Sequence, residues 1–223
     1  MTCKFSQVCL YLRLVLNFQE SLINFFVAMS NSGINLVEKL KFYKDFPKEG
    51  INFIDIMPLM SSKEVFAQVI SELDAAVKSP SLALPEARGF LFGAPLLLTD
   101  GVVKNIIPVR KSGKLPFAEG DLTGVEIMKE YGADKLFYRD SDIAAGELVS
   151  DVFEIAILDD ILATGGTAEA LAKSLNSKII VKDGVPHKVV VKQFVFLVEI
   201  DDLHGARRLE KIAPVTSLIH LND

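Results

Sequence analysis

The chain of 223 residues has no tryptophan, three histidines and two cysteines, and both cysteines, Cys3 and Cys9, sit close to the N-terminus. No disulfide can therefore staple the body of the chain, no cysteine-histidine set spaced for zinc is available, and a reducing, cytoplasmic setting is expected. His187, His204 and His220 are scattered without metal spacing and read as packing or surface residues. An excess of positive charge is absent too. The formal net charge is −5, and no dense Lys/Arg run offers a footprint for nucleic acid or an anionic membrane, so small molecules and a second copy of the chain are the expected partners. Long apolar runs are missing too. CLYLRLVLNF and LINFFVAM are split by Gln19 and Glu20, Arg13 lies inside the first, and neither reaches the roughly 20 apolar residues of a membrane span. Arg13 also interrupts the apolar region that a secretory signal after Lys4 would need. Residues 1–28 are read as an extension, with Met29 the expected start of a domain over 29–223.

Half of the residues are apolar, enough for one globular core at this length. Helical spacing is expected over Ile34 to Phe42, then a loop broken by Pro47 and Gly50 and a small strand before Pro58. Val65, Phe66, Val69, Ile70 and Leu73 share one side of a helix over Lys63 to Val77. Strands are expected at Leu82 to Leu84, Val102 to Val109, Lys135 to Tyr138, Glu154 to Leu158, Lys188 to Val198 and Val215 to His220. Between them fall a helix over Phe90 to Thr99 and a polar loop from Ser112 to Glu130. Lys182-Asp183-Gly184 is a hairpin signal. Strands alternating with helices predict an α/β fold, a doubly wound and mainly parallel sheet whose ligands bind beyond the C-terminal strand ends.

The segment Glu154 to Leu175, EIAILDDILATGGTAEALAKSL, carries the chemistry. Ile155, Ile157 and Leu158 read as a buried parallel strand ending in two carboxylates, Asp159 and Asp160. In the following run, Ala163 to Thr167, Gly165 and Gly166 let several backbone N–H groups converge at a helix N-terminus, and Thr164 and Thr167 add hydroxyl donors. A bare Gly-Gly is more often only a turn, and a bare Asp-Asp a solvated strand end. The whole run in this order reads instead as a sugar-phosphate site, with carboxylates for ribose hydroxyls and a nest for the 5′-phosphate. A Walker-type loop is excluded, because no Gly-Lys-Ser/Thr ending follows.

Two more loops follow strands. Pro85-Glu86-Ala87-Arg88-Gly89 opens a helix and offers N–H groups and a guanidinium, which suits a diphosphate. Arg110, Lys111 and Lys114 place three cations in the turn shaped by Gly113 and Pro116. Three basic residues in a loop are by themselves an ordinary solvated surface; beside a phosphate nest they read as anion ligands.

DFPKEGINFIDIMPLM, PEARGFLFGAP, PVRKSGKLP, KEYG and DDILATGGT stand in the order and spacing of the adenine phosphoribosyltransferases, and from about Asn35 onward the chain resembles that family of type I phosphoribosyltransferases. The resemblance implies transfer of the phosphoribosyl group of phosphoribosyl diphosphate (PRPP) to adenine, giving AMP and diphosphate with Mg²⁺, in a homodimer with a small N-terminal hood near 34–58. It assigns Asp159 and Asp160 to the ribose hydroxyls and, through water, to Mg²⁺. Ala163, Thr164, Gly165, Gly166 and Thr167 fall to the 5′-phosphate. Glu86, Ala87 and Arg88, with a cis peptide in their loop, join Arg110, Lys111 and Lys114 at the diphosphate. Glu130 is implied as general acid or base on a closing loop, and Arg110 as a catalytic cation. Asn52, Phe53, Ile54, Arg88, Tyr131 and Ile200 fall at the adenine. Leu84, Phe117 and Ile54 depart from the residues usual in the family, and the Asn176 to Lys188 connection is longer. Two other readings share the fold: transfer to another purine base, and a non-catalytic PRPP-binding regulator. The regulator reading calls for an added basic DNA-binding segment and the loss of Glu130-Tyr131, and neither holds here.

Overall fold

The computed structural model describes residues 33–129 and 132–222. The extension at 1–28, Glu130 and Tyr131 lie outside the described residues, as do the side chains of 128, 129, 132 and 133. The chain divides into two compact units, one ending at Ser71 and the other starting at Glu72.

In the first unit, β1 (Lys41–Lys44) pairs antiparallel with β2 (Asn52–Asp55). The turn between them is held by Asp45, whose carboxylate accepts the Gly50 N–H at 2.8 Å, and by Phe46 packed edge-on against Phe53. The helix expected over Ile34 to Phe42 is not formed. A single 3-10 turn at Val37–Lys39 leads straight into β1, because only Leu36 and Leu40 of that stretch are buried and two residues cannot anchor an amphipathic helix. Helix α1 (Lys63–Ala76) follows as expected, burying Val65, Val69, Ile70 and Leu73 on one face.

The second unit is built on a mostly parallel sheet. Its strands are β3 (Ser81–Pro85), β4 (Asn105–Lys111), β5 (Leu122–Lys129), β6 (Gly132–Arg139), β7 (Val152–Leu162), β8 (Ile179–Lys182), β9 (Val185–Ile200) and β10 (Val215–Leu221). Their order is β10-β9-β7-β3-β4-β6-β5, with β8 paired to the start of β9. The pairs β10–β9, β9–β7, β7–β3 and β3–β4 are parallel, while β6 joins β4 and β5 antiparallel. All five residues of β3 are buried, as are Phe153 and Ile155 to Leu158 of β7 and Phe194 to Val198 of β9. Ser81 apart, these are unbroken apolar runs, as a parallel strand covered on both faces requires, each large side chain contributing about 1.5–3 kcal/mol by leaving water. The helices of this unit are α2 (Arg88–Gly93), α3 (Asp140–Ala144), α4 (Gly166–Asn176) and α5 (Gly205–Leu209).

Three further expectations are corrected. The polar stretch Ser112 to Glu130 is a loop only as far as Asp121, after which β5 forms and turns Val125 and Ile127 inward. The helix expected from Phe90 to Thr99 changes to a 3-10 turn at Ala94–Leu98, where Pro95 lacks the N–H that an α-helix would use. The strand expected from Val102 begins at Asn105, whose N–H is taken by the Pro80 carbonyl. The Asp183-Gly184 hairpin forms between β8 and β9, with positive φ at both residues (52° and 80°) as a primed turn requires.

Candidate active site

The strand order reverses between β3 and β7. The chain leaves β3 towards β4 on one flank and leaves β7 towards β9 on the other, so a crevice opens beyond their C-terminal ends. Two cavities of about 220 and 230 Å³ lie there and share Asp159, Ile161, Thr167 and Ile127.

The first cavity is walled by the whole Ala163–Thr167 run, with Phe196 and Ile127 as apolar sides. Helix α4 starts in this run. Its N-cap, Gly165, has φ +74°, a left-handed conformation open to glycine, and a side chain there would stand 3.2 Å from the Gly205 carbonyl oxygen. The first N–H groups of an eleven-residue helix have no partners within the helix, and the helix dipole leaves them partly positive. The loop is therefore built to receive an anion.

Asp159 and Asp160 end the buried part of β7 and both line the second cavity. Helix α2 comes close to them because Gly89 has no side chain: a Cβ there would meet the Leu158 carbonyl at 3.2 Å and Asp159 Oδ1 at 3.3 Å. That approach brings Arg88 Nε within 2.6 Å of Asp160 Oδ2. Asp159 Oδ1 accepts the Asp160 N–H at 2.9 Å. Burial, followed by the neighbouring Asp160 charge, pushes the Asp159 carboxyl well above the usual range, and Arg88 offsets only part of this. Two adjacent carboxylates, only Asp160 of which pairs with a guanidinium, form a site with appetite for a further cation or for hydroxyl donors.

The Glu86–Ala87 peptide is cis. The Glu86 side chain, buried, accepts from Arg110 Nε at 2.8 Å and from Lys114 Nζ at 3.3 Å, and the Lys111 backbone N–H adds a third bond. Burial alone would raise the Glu86 pKa; the three donors outweigh it and hold the carboxyl below its usual range. Arg110 also stands 5.8 Å over the Phe90 ring. The three cations expected at an anion site are thus grouped, two of them on one carboxylate. Glu86, Ala87, Arg88 and Lys111 line the second cavity; Arg110 and Lys114 are tied to it through Glu86.

The structure brings together Glu86, Ala87, Arg88, Arg110, Lys111, Lys114, Asp159, Asp160 and Ala163–Thr167. Ile200 ends β9 and lines neither cavity. Asn52, Phe53 and Ile54 lie on β2 in the first unit. Leu84 is fully buried against Gly93, where a Cβ would overlap it, so this bulky residue turns into the core and away from the crevice. Phe117 is exposed and lines a separate apolar pocket with Leu122 and Phe137. Sequence reasoning missed Ile127, Phe196 and Asp134 as lining residues. The alternation Val125-x-Ile127 was the one available signal for the first of these.

Among the described residues one further group has ligand atoms within 4.8 Å of one another, Glu199, Asp201 and His220. Each has a protein partner: Ser217 donates to Glu199 at 2.7 Å, and His220 Nδ1 lies 2.9 Å from Asp201 Oδ1, which raises the imidazole pKa. It lies apart from both cavities of the crevice.

No family model matches the chain. It is 37% identical over 180 residues to the adenine phosphoribosyltransferase of Clostridium beijerinckii, an alignment covering 79% of this chain and 93% of that protein. The enzyme of Mesomycoplasma hyopneumoniae is 35% identical over 190 residues, 85% of this chain and 99% of its own length. Among solved structures, the adenine phosphoribosyltransferase of Thermoanaerobacter pseudethanolicus superposes with a TM-score of 0.67 at 37% identity, covering 84% of this chain and 100% of that one. That of Saccharomyces cerevisiae, solved with an imino-altritol bisphosphate and adenine, has a TM-score of 0.64 at 31% identity, covering 86% and 99%. With relatives this similar over nearly their whole length, and a glycine-bearing helix N-terminus, an acidic pair and a cation group gathered in one crevice, the chain belongs to the adenine phosphoribosyltransferase family.

Proposed function

We infer that the protein transfers the 5-phosphoribosyl group of PRPP to adenine, forming AMP and diphosphate in purine salvage. The observation that carries this reading is the crevice between β3 and β7, where an anion-binding helix N-terminus, two carboxylates and a cation-rich turn converge on a volume suited to a sugar bearing phosphates at both ends.

Within that reading Ala163 to Thr167 hold the 5′-phosphate through backbone N–H groups and two hydroxyls. Asp159 and Asp160 accept from the ribose hydroxyls and oppose the positive charge that grows on the sugar as diphosphate departs. Arg88, Arg110, Lys111 and Lys114 neutralise the leaving diphosphate. In the structure Arg110 and Lys114 rest on Glu86 and Arg88 rests on Asp160, so the entering ligand competes with carboxylates that already hold its cations near their working places. This arrangement lowers the ordering cost of binding. The acidic pair fits a hard divalent cation, because burial and mutual repulsion leave Asp159 short of positive charge. Mg²⁺ held there through water and by the substrate's own oxygens would supply further neutralisation of the diphosphate. Glu130 is proposed as the acid or base at the purine and Tyr131 as its neighbour; Asn52, Phe53, Ile54 and Ile200 enter as adenine contacts on the family resemblance. A cytoplasmic homodimer completes the proposal, and sedimentation of the purified protein checks the stoichiometry.

The test is nucleotide formation by the purified chain with PRPP and Mg²⁺, offering adenine, hypoxanthine, guanine and xanthine separately. AMP from adenine alone is expected. Failure with every base while PRPP still binds would leave the regulator reading in its place. Glu130→Gln is expected to lower turnover far more than it weakens PRPP binding; equal loss of both would remove Glu130 from the chemistry.

A further inference from the structure

The geometry points to Arg208, on α5, as a positioning residue that sets the 5′-phosphate affinity by bracing the phosphate loop from behind. The inference rests on the reading of Ala163–Thr167 as the 5′-phosphate site and adds a residue that lies outside every motif of that site.

Arg208 Nη1 donates to the Thr164 carbonyl oxygen at 3.1 Å. A peptide unit is planar and trans, so its C=O and the following N–H point in opposite directions. Anchoring the Thr164 oxygen on the α5 side therefore turns the Gly165 N–H to the other side of the loop. Thr164 and Gly165 line the first cavity and Arg208 does not, so the guanidinium acts through the backbone and leaves the ligand space free.

The rest of α5 fits this purpose. Gly205 lies so close to the loop that a Cβ on it would come within 2.2 Å of the Ala163 carbonyl oxygen and 2.7 Å of Leu162 Cδ1. A Cβ on Gly165 would in turn stand 3.2 Å from the Gly205 carbonyl oxygen and 3.3 Å from Leu209 Cγ. Backbone thus meets backbone at glycine on both sides, and the loop has a firm wall behind it. Arg208 closes the upper end of that wall: a Cβ on Gly166 would touch its Nη1 at 3.4 Å, and its Nε faces Glu169 Oε2 at 3.7 Å across the first turn of α4. Its positive charge also sits beside the place where a phosphate dianion would arrive. With 47% of the side chain exposed, screening keeps this long-range part small, and the orientation of the Thr164–Gly165 peptide is the larger effect.

The experiment compares the full-length protein with R208Q and R208K, measuring kcat, the KM of each substrate, and direct binding of AMP and of adenosine. R208Q is expected to raise the KM for PRPP and the Kd for AMP about tenfold, a change of about 1.4 kcal/mol. The KM for adenine, the Kd for adenosine and kcat should stay within about threefold, because these do not use the 5′-phosphate. R208K keeps a cationic donor and should recover most of the loss. If R208Q is too unstable to assay, R208M, which keeps most of the aliphatic stem and has no donor for the Thr164 carbonyl, takes its place: a PRPP-selective loss supports the role, and none refutes it. Equal loss for phosphorylated and unphosphorylated ligands, or an unchanged KM for PRPP in R208Q, overturns it. Failure of the underlying site reading has a different signature, since wild-type protein would then bind AMP no more tightly than adenosine.

Discussion

Replacing Glu86 by Gln removes one buried negative charge and almost no volume, which makes it a clean probe of how the cations are held. The carboxylate accepts from Arg110, Lys114 and the Lys111 N–H. Hydrogen bonds to a charged group contribute about 1.5–3 kcal/mol when shielded. Here the donors' side chains are 35% and 54% exposed, and water replaces part of what is lost. The amide keeps one acceptor oxygen, which can stay with Arg110, and turns an N–H₂ towards Lys114. A net loss of about 1–2 kcal/mol follows, or a melting temperature lower by roughly 2–8 °C for a chain of this size. The pH dependence fixes the origin. Because the folded pKa of Glu86 lies below its ordinary value of 4.5, its stabilisation is present above that value and is lost as pH falls through the folded pKa. Thermal unfolding of both proteins should show a constant gap between about pH 8 and 5 that narrows below about 4.5. A gap that persists unchanged into acid, or a Gln variant as stable as wild type at neutral pH, would refute the account of Glu86 as the counter-ion of these cations.

Asp159→Asn should move stability the other way. A carboxyl with a raised folded pKa stabilises only while protonated, and that stability is lost as pH rises through the raised value, so at neutral pH the amide is expected to be more stable by about 1 kcal/mol while AMP formation falls at least tenfold. Calorimetry showing a lower melting temperature would contradict it. Gly165→Ala meets both a positive φ and the Gly205 carbonyl, and should cost about 1–2 kcal/mol of stability and reduce AMP affinity, measured by titration calorimetry. Tyr138→Phe deletes the buried 2.9 Å bond to Ser174, whose loss should lower stability by about 0.5–1.5 kcal/mol with catalysis intact. Burial pushes the Tyr138 pKa up to about 12, so neutral and mildly alkaline buffers should leave it protonated, which absorbance titration of the phenol checks.

The strand, acidic pair, Gly-Gly turn and helix over Glu154 to Leu175 were legible because their ingredients are contiguous: an apolar run, two carboxylates, Gly-Gly and a helical pattern within one segment. The parallel strands were legible for the same local reason, as were the turn residues Asp183 and Gly184. Features that depend on distant partners were not. β1 exposes all four of its residues and exists through pairing with β2, so nothing in Lys41 to Lys44 announces it. β5 shows only Val125 and Ile127 to the core, with Gly124 and Glu126 exposed between them, a pattern too short to separate from a polar loop until β6 is laid beside it. At the site, Glu86 was read as one more ligand residue, whereas the structure shows it as the resting partner of Arg110, and the two stand in different loops. Arg208 was invisible for the same reason, being joined to Thr164 only after β9 has carried the chain back past β7.

The central position of β3 has a consequence for synthesis. One flank of this wholly buried strand is covered by β4, which follows soon after it, but the other is reserved for β7, which emerges only after β4, β5, β6 and α3. A growing or truncated chain that stops before Val152 therefore carries a strand that is apolar from Leu82 to Pro85, with one edge of free N–H and C=O groups. Such an edge is a template for pairing between chains. Fragments ending in that interval should need a chaperone to stay in solution, and β7, while supplying the acidic pair, is also the strand whose arrival ends that exposure.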